Sequence, residues 1–87
     1  MSAKTLNITL IDICRSETEV ASFIDDPQTA LAKYSVSEDE RSGLIERDMG
    51  WLYKYGVHPY VLVQFALAVG LEIPDYVRQL KEATRQE

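Results

Sequence analysis

Apolar positions recur along most of this chain at helical spacing. Leu6, Leu10 and Ile13 fall on one helix face, and although Leu6, Ile8 and Leu10 also alternate as a strand would, the wider spacing favours a helix. The five residues before them carry no pattern, so residues 1–5 read as a disordered N-terminal tail. Ser16-Glu-Thr-Glu19 has the form of a capping box, in which a serine oxygen takes an orphan backbone N–H and a glutamate answers. The short helix it opens would bury Val20, Phe23 and Ile24. Asp26-Pro27 reads as N-cap and first helical residue of the next segment, because proline lacks the N–H that a first turn leaves unpaired. Ala30, Leu31 and Tyr34 lie on that segment's apolar side. A second box, Ser37-Glu-Asp-Glu40, sets three acids at the positive end of a helix dipole, where Glu38, Asp39 and Glu40 read as solvated; Leu44 and Ile45 supply the buried side.

Asp48 caps or continues that helix, and the segment through Tyr55 stops at Gly56, the residue type best able to take left-handed C-cap geometry. Residues 60–69 are apolar except for Gln64, and Gly70 closes them. Pro74-Asp75 opens a last amphipathic helix with Tyr76, Val77, Leu80 and Ala83 inward. The sum is an all-α fold: a compact single-domain array of five to seven short helices over residues 6–87, without linker or internal repeat.

Composition narrows the function. At 87 residues there is material for one domain. The net charge of −5, with no cluster of Lys and Arg, argues against a nucleic-acid surface, which needs cations facing phosphates. Cys14 is the sole cysteine, so the chain forms neither an internal disulfide nor a thiolate metal site by itself. No apolar run approaches the ~18–20 residues of a transmembrane helix, and the start lacks the basic and apolar regions of a signal peptide. These features fit a cytoplasmic protein with no membrane partner.

Candidate chemistry is sparse. Non-haem Fe(II) oxygenases hold iron with two histidines and a carboxylate, whereas His58 is the one histidine here, so neither a metal site nor a catalytic residue is expected in this chain. Cys14 sits in an apolar run with no sign of a base and reads as core. His58 either shapes the turn before Pro59 or lends a hydrogen bond or proton to a partner's site. The aromatic pattern points to a partner. Around residues 48–55, Met49, Leu52 and Tyr53 form a core face, which leaves Trp51 and Tyr55 as an i, i+4 pair on another. In residues 60–69 a core face of Leu62, Phe65, Ala66 and Val69 leaves Tyr60, Val63 and Leu67 over. Either this helix is central and wrapped by the others, or its spare face, like Trp51 and Tyr55, meets a partner or a second copy.

Three sequence elements carry a family resemblance. The first is Phe23-Ile-x-Asp-Pro-x-x-Ala-Leu-x-x-Tyr34. The second, and most specific, joins Glu40, Arg41, Leu44, Ile45 and Asp48 to Leu52-Tyr-x-x-Gly-Val-His-Pro59. The third is Gly70-Leu-x-x-Pro-Asp-Tyr-Val-x-x-Leu80. In this order they resemble the small, or alpha, subunit of extradiol ring-cleavage dioxygenases of the protocatechuate 4,5-dioxygenase (LigAB) type. The resemblance implies a helical LigA-like domain that covers the cleft of a large catalytic subunit, whose Fe(II) is held entirely by that subunit. It further implies that His58, Pro59 and Tyr60 face the substrate pocket and that Tyr76 makes lid contact, while the helix pattern itself offers Trp51, Tyr55, Val63 and Leu67 as the partner interface. The chain is shorter than typical alpha subunits, which implies that a longer C-terminal lid is missing. Stand-alone relatives supply the alternative implication: a module that docks another enzyme, such as the recognition domain of a ribosomal peptide precursor, unrelated to aromatic degradation.

Overall fold

Side-chain caps divide the chain into its helices. The computed structural model describes residues 3–84, and these form seven α-helices and no strand: α1 (Ala3–Cys14), α2 (Glu17–Asp25), α3 (Pro27–Ala32), α4 (Glu38–Ile45), α5 (Met49–Tyr55), α6 (Pro59–Ala68) and α7 (Ile73–Thr84). Ser16 caps α2 by accepting from the Glu19 N–H, but Glu19 turns away to Lys33, 2.6 Å from its Nζ, so only half of that box forms. Asp26 ends α2 and caps α3, with Pro27 in the first turn. Ser37 and Glu40 complete a full reciprocal box at α4. Asp48 caps α5 rather than extending α4.

Three helices end in the same hydrogen-bonded turn. The N–H of Gly56 donates to Tyr53 and that of Val57 to Leu52; Gly70 and Leu71 repeat the pattern on Leu67 and Ala66, and Arg47 and Asp48 on Leu44 and Gly43. This is the Schellman arrangement, whose pivotal residue takes a positive φ. Gly56 does so at 121°, where a side chain would be strained, while α4 uses Arg47 at 54°, a conformation that costs an L-residue about 1–2 kcal/mol.

Helix α1 settles the ambiguity between strand and helix. Leu6, Leu10 and Ile13 are buried with Thr9, while Ile8 is exposed, as the helical spacing requires. The helix also begins earlier than the tail expected over residues 1–5: Ala3, Lys4 and Thr5 belong to it, and Met1 and Ser2 lie outside the described residues. The reason is packing, because Ala3 lies against the α5–α6 turn, where a Cβ on Gly56 would come within 2.8 Å of the Ala3 Cβ.

The core gathers residues from every helix around α6. Phe65 meets Phe23 of α2 edge to face at 5.6 Å, and Leu31, Leu44, Met49, Leu52 and Leu62 are fully buried with them. Helix α6 is nevertheless not wrapped all round: Val61, Leu62, Phe65 and Ala66 face inward, Val63 and Val69 are half-buried, and Tyr60 and Leu67 are 67% and 54% exposed.

Three expected core positions are exposed, and others, Val69 among them, are only half-buried against the core. Ile24 is exposed because α2 buries only a narrow stripe through Val20 and Phe23. Val77 is exposed because Tyr76, Leu80 and Ala83, spaced i, i+4 and i+7, already form the inward stripe of an edge helix, and the next residue is turned ~100° away. Val69 ends α6 half-buried. Tyr53 is exposed because α7 meets α5 one turn earlier, at Gly50. Glu40 departs in the opposite sense: read as solvated, it is 0% exposed, folded back on its own capping box beneath α5.

The α5–α7 crossing depends on the missing side chain of Gly50. A Cβ there would lie 2.7 Å from the Ala83 Cβ and 3.3 Å from the Gln79 carbonyl oxygen, and Gln79 also accepts the Met49 N–H at 3.0 Å. Gly50→Ala is therefore expected to destabilise the domain, since overpacking of about 1–3 kcal/mol exceeds the ~0.5–1 kcal/mol that alanine gains in a helix. Urea unfolding checks this, and adding Ala83→Gly to the variant should restore most of the loss.

Candidate functional site

The turn between α5 and α6 brings together the residues that no helical pattern demanded. After the Schellman end at Gly56, Val57 is buried, His58 caps α6 and Pro59 occupies its first turn. His58 Nδ1 accepts the Tyr60 N–H at 3.1 Å, so in the neutral ring the proton resides on Nε2. The turn is held from across the fold by Asn7 of α1. Its Oδ1 accepts the His58 N–H at 2.8 Å, and its Nδ2 donates to the carbonyls of Gly56 and Ala3 at 3.2 and 3.0 Å. His58 and Pro59, both exposed, line an open depression shared with Asn7, Tyr53 and Lys54.

Tyr60 and Leu67 stand seven residues apart on the outer face of α6, with Val63 half-buried near them. Tyr60 also lines a separate groove against α1 with Leu10, Ile11, Cys14 and Val61. Burial pushes the Cys14 thiol up from its ordinary value, which keeps it protonated and unsuited to nucleophilic work. Tyr76 lies elsewhere: at 7% exposure it seats α7 in the core, so the lid contact drawn for it has little open ring surface behind it.

Trp51 and Tyr55 do form the predicted pair. Their rings stack at 4.7 Å between centroids and 15° between planes, and both are half-buried. What holds them is Glu40. Its carboxylate accepts the Tyr55 hydroxyl at 2.6 Å and the Ser37 N–H at 2.8 Å. Burial pushes that carboxyl up, but the Ser37 N–H and the Tyr55 hydroxyl outweigh it and hold Glu40 below the ordinary carboxylate range. The same hydrogen bond, with burial, raises the Tyr55 phenol.

Apart from Tyr76 in the core and Val63 and Leu67 along α6, the sequence-predicted residues thus divide between two places. His58, Pro59 and Tyr60 are neighbours at the start of α6, and Trp51 and Tyr55 make a separate stacked platform at α5. Asn7 and Glu40 were missed. No local signal marks Asn7, whose partners lie far along the chain; the Ser37-x-x-Glu40 box did announce Glu40's cap, but not the Tyr55 contact that buries it. Among the described residues no group of three or more His, Cys, Asp or Glu side chains could hold a metal ion, and no helix is long and apolar enough to cross a membrane.

The family model described as aromatic-ring-opening dioxygenase LigAB, LigA subunit, matches residues 6–87. No curated protein and no solved structure matches the chain.

Acid should loosen the Glu40–Tyr55 contact before it unfolds an equivalent chain that lacks the carboxylate. Because the folded-state pKa is depressed, this stabilisation is present above the unfolded value of about 4.3 and is lost as pH falls through the lower folded value. Urea midpoints taken from neutral pH downward, with Trp51 fluorescence as the probe, should fall more steeply for the wild type than for Glu40→Gln.

Proposed function

The chain belongs to the LigA-subunit family of aromatic-ring-opening dioxygenases, and from that membership we propose that it is a non-catalytic small subunit that caps the cleft of a separate Fe(II) extradiol dioxygenase subunit. The match across residues 6–87 carries this reading. Two features of the molecule support it. The chain's one histidine falls short of a two-histidine, one-carboxylate triad, so on this reading the metal and the ring-opening chemistry would belong to the large subunit. The start of α6 presents an exposed imidazole, a proline and a phenol on a turn fixed from two sides, which suits a wall held against another protein's opening.

Such a cap acts by position. Closing a cleft excludes bulk water and holds a catechol-type substrate in one orientation, which raises the rate without any covalent step by the cap. His58 would contribute through Nε2–H, because Nδ1 is committed to the Tyr60 N–H; Pro59 and Tyr60 would supply rigid surface beside it.

The test is co-expression with the large extradiol subunit encoded by the same organism, followed by ring-cleavage assays with and without this chain. Co-purification and a faster reaction in the complex are expected; full activity of the large subunit alone, or recovery of an unrelated enzyme on the tagged chain, would move the chain to the enzyme-docking alternative. His58→Asn separates the two roles of the histidine. Asparagine is a good N-cap, so the variant should melt within about 1 kcal/mol of the wild type while the complex loses rate, whereas His58→Ala should lower both stability and rate.

A further inference from the structure

The fold leaves two helix faces uncovered, side by side. Along α1 and the turn that ends it, Ile8, Ile11 and Arg15 are exposed at i, i+3 and i+7; on α6, Tyr60, Gln64 and Leu67 are exposed at i, i+4 and i+7. Between the helices runs a groove of about 300 Å³, floored by the buried Leu10 and Val61 and walled by Ile11 and Cys14 on one side and Tyr60 and Gln64 on the other. Helix α6 has no charged residue from Pro59 to Ala68, in a chain whose net charge is −5. The one charged group on the groove is Arg15. Lys33 and Arg78 are paired with Glu19 and Asp75, but Arg15 has no ion-pair or side-chain hydrogen-bond partner among the described residues.

Resting on the reading of the chain as a small dioxygenase subunit, we propose that this groove is the docking site for the large subunit, which lays an apolar helix or loop between α1 and α6 and sets a carboxylate against Arg15. The charge pattern selects this occupant. Within a chain of net charge −5 this groove carries a single charge, a cation without a partner among the described residues, which a partner's carboxylate would complement. A second copy fits poorly. Two grooves meeting across a two-fold axis set hollow against hollow, and the nearest acid on α1, Asp12, already accepts the Tyr34 hydroxyl at 2.6 Å. The stacked Trp51–Tyr55 face is the weaker candidate, because its rings cover one another and the Tyr55 hydroxyl is engaged by Glu40. The groove is also continuous with the turn proposed to face substrate, since Tyr60 lines it and its N–H is bonded to His58.

Ile11→Glu, Arg15→Glu and, as a control at a residue that does not line the groove, Ile24→Glu change exposed residues, and circular dichroism melting establishes that each stays folded. Titration against the large subunit should show wild-type affinity for Ile24→Glu and losses of about tenfold or more for Ile11→Glu and Arg15→Glu, since each sets an unpaired carboxylate in the interface. Wild-type binding by both groove variants would place docking elsewhere and overturn the proposal while leaving the small-subunit reading intact. Failure of the wild type to bind would overturn both. A wild-type dimer in sedimentation that Ile11→Glu dissociates would give the groove to a second copy, and that too would overturn it.

Discussion

Asn7 spans 51 positions of chain to reach the His58 N–H, and with its amide it also takes the Gly56 and Ala3 carbonyls. That one side chain ties the first helix to the turn on which the rest of the surface depends. A Schellman end leaves its last carbonyls satisfied but does not fix the direction of the next helix. The direction of α6 comes from the three residues after Gly56: a buried Val57, a histidine that caps with its ring and a proline whose φ is already helical. With Asn7 holding both carbonyl and N–H of the turn, α6 is laid along α1, and the groove and the exposed face of Tyr60 and Leu67 result from that alignment.

A second constraint acts through charge. Glu40 is a fully buried carboxylate on a helix whose first turn is acidic, and a buried charge is tolerated only where hydrogen bonds replace its water. The capping box supplies one donor and the Tyr55 hydroxyl another. The consequence reaches beyond α4, because a hydroxyl fixed on Glu40 fixes the Tyr55 ring, and the Tyr55 ring fixes the stacked indole of Trp51. Gly43 belongs to the same arrangement: a Cβ there would come within 2.8 Å of the indole.

The all-α class, the capped helix starts and most of the core were legible from the chain, though not the start of α1, and for a physical reason. Caps are local, so Ser16, Asp26, Ser37 and Asp48 mark their helices within three or four residues, and helical spacing places Leu6, Leu10 and Ile13 without knowledge of what covers them. What could not be read is whatever a distant element decides. Tyr53 and Val77 satisfy an apolar face by spacing alone, but which side of α5 or α7 is covered depends on where those helices cross, and that is set by the absence of a side chain at Gly50. Glu40 was misplaced for the same reason: an acid in a first turn is ordinarily solvated, and only a tyrosine fifteen residues on draws it inside. The site was legible in the same partial way. The Gly-Val-His-Pro run marked the turn and its exposed histidine, while Asn7, which anchors it, and the α1 wall of the groove could not be found from a pattern local to either segment.

The exposure of α6 is difficult to account for by the isolated domain alone. A helix of ten residues without a charge is suited to burial, yet Tyr60 and Leu67 lie mostly in water, where each forgoes part of the roughly 25 cal/mol per Å² that burial would return. A domain this small has little stability to spare, and polar residues at those two positions would leave the inward face of Leu62, Phe65 and Ala66 untouched. The fold therefore does not require the apolar character of the outer face. An apolar outer face of this kind is what the proposed association with a larger subunit would use, and the chain's membership of a subunit family is consistent with it. The turn at His58 is likewise held by hydrogen bonds from α1 and α6 before any partner arrives, which is the preorganisation that the proposed capping role would call for.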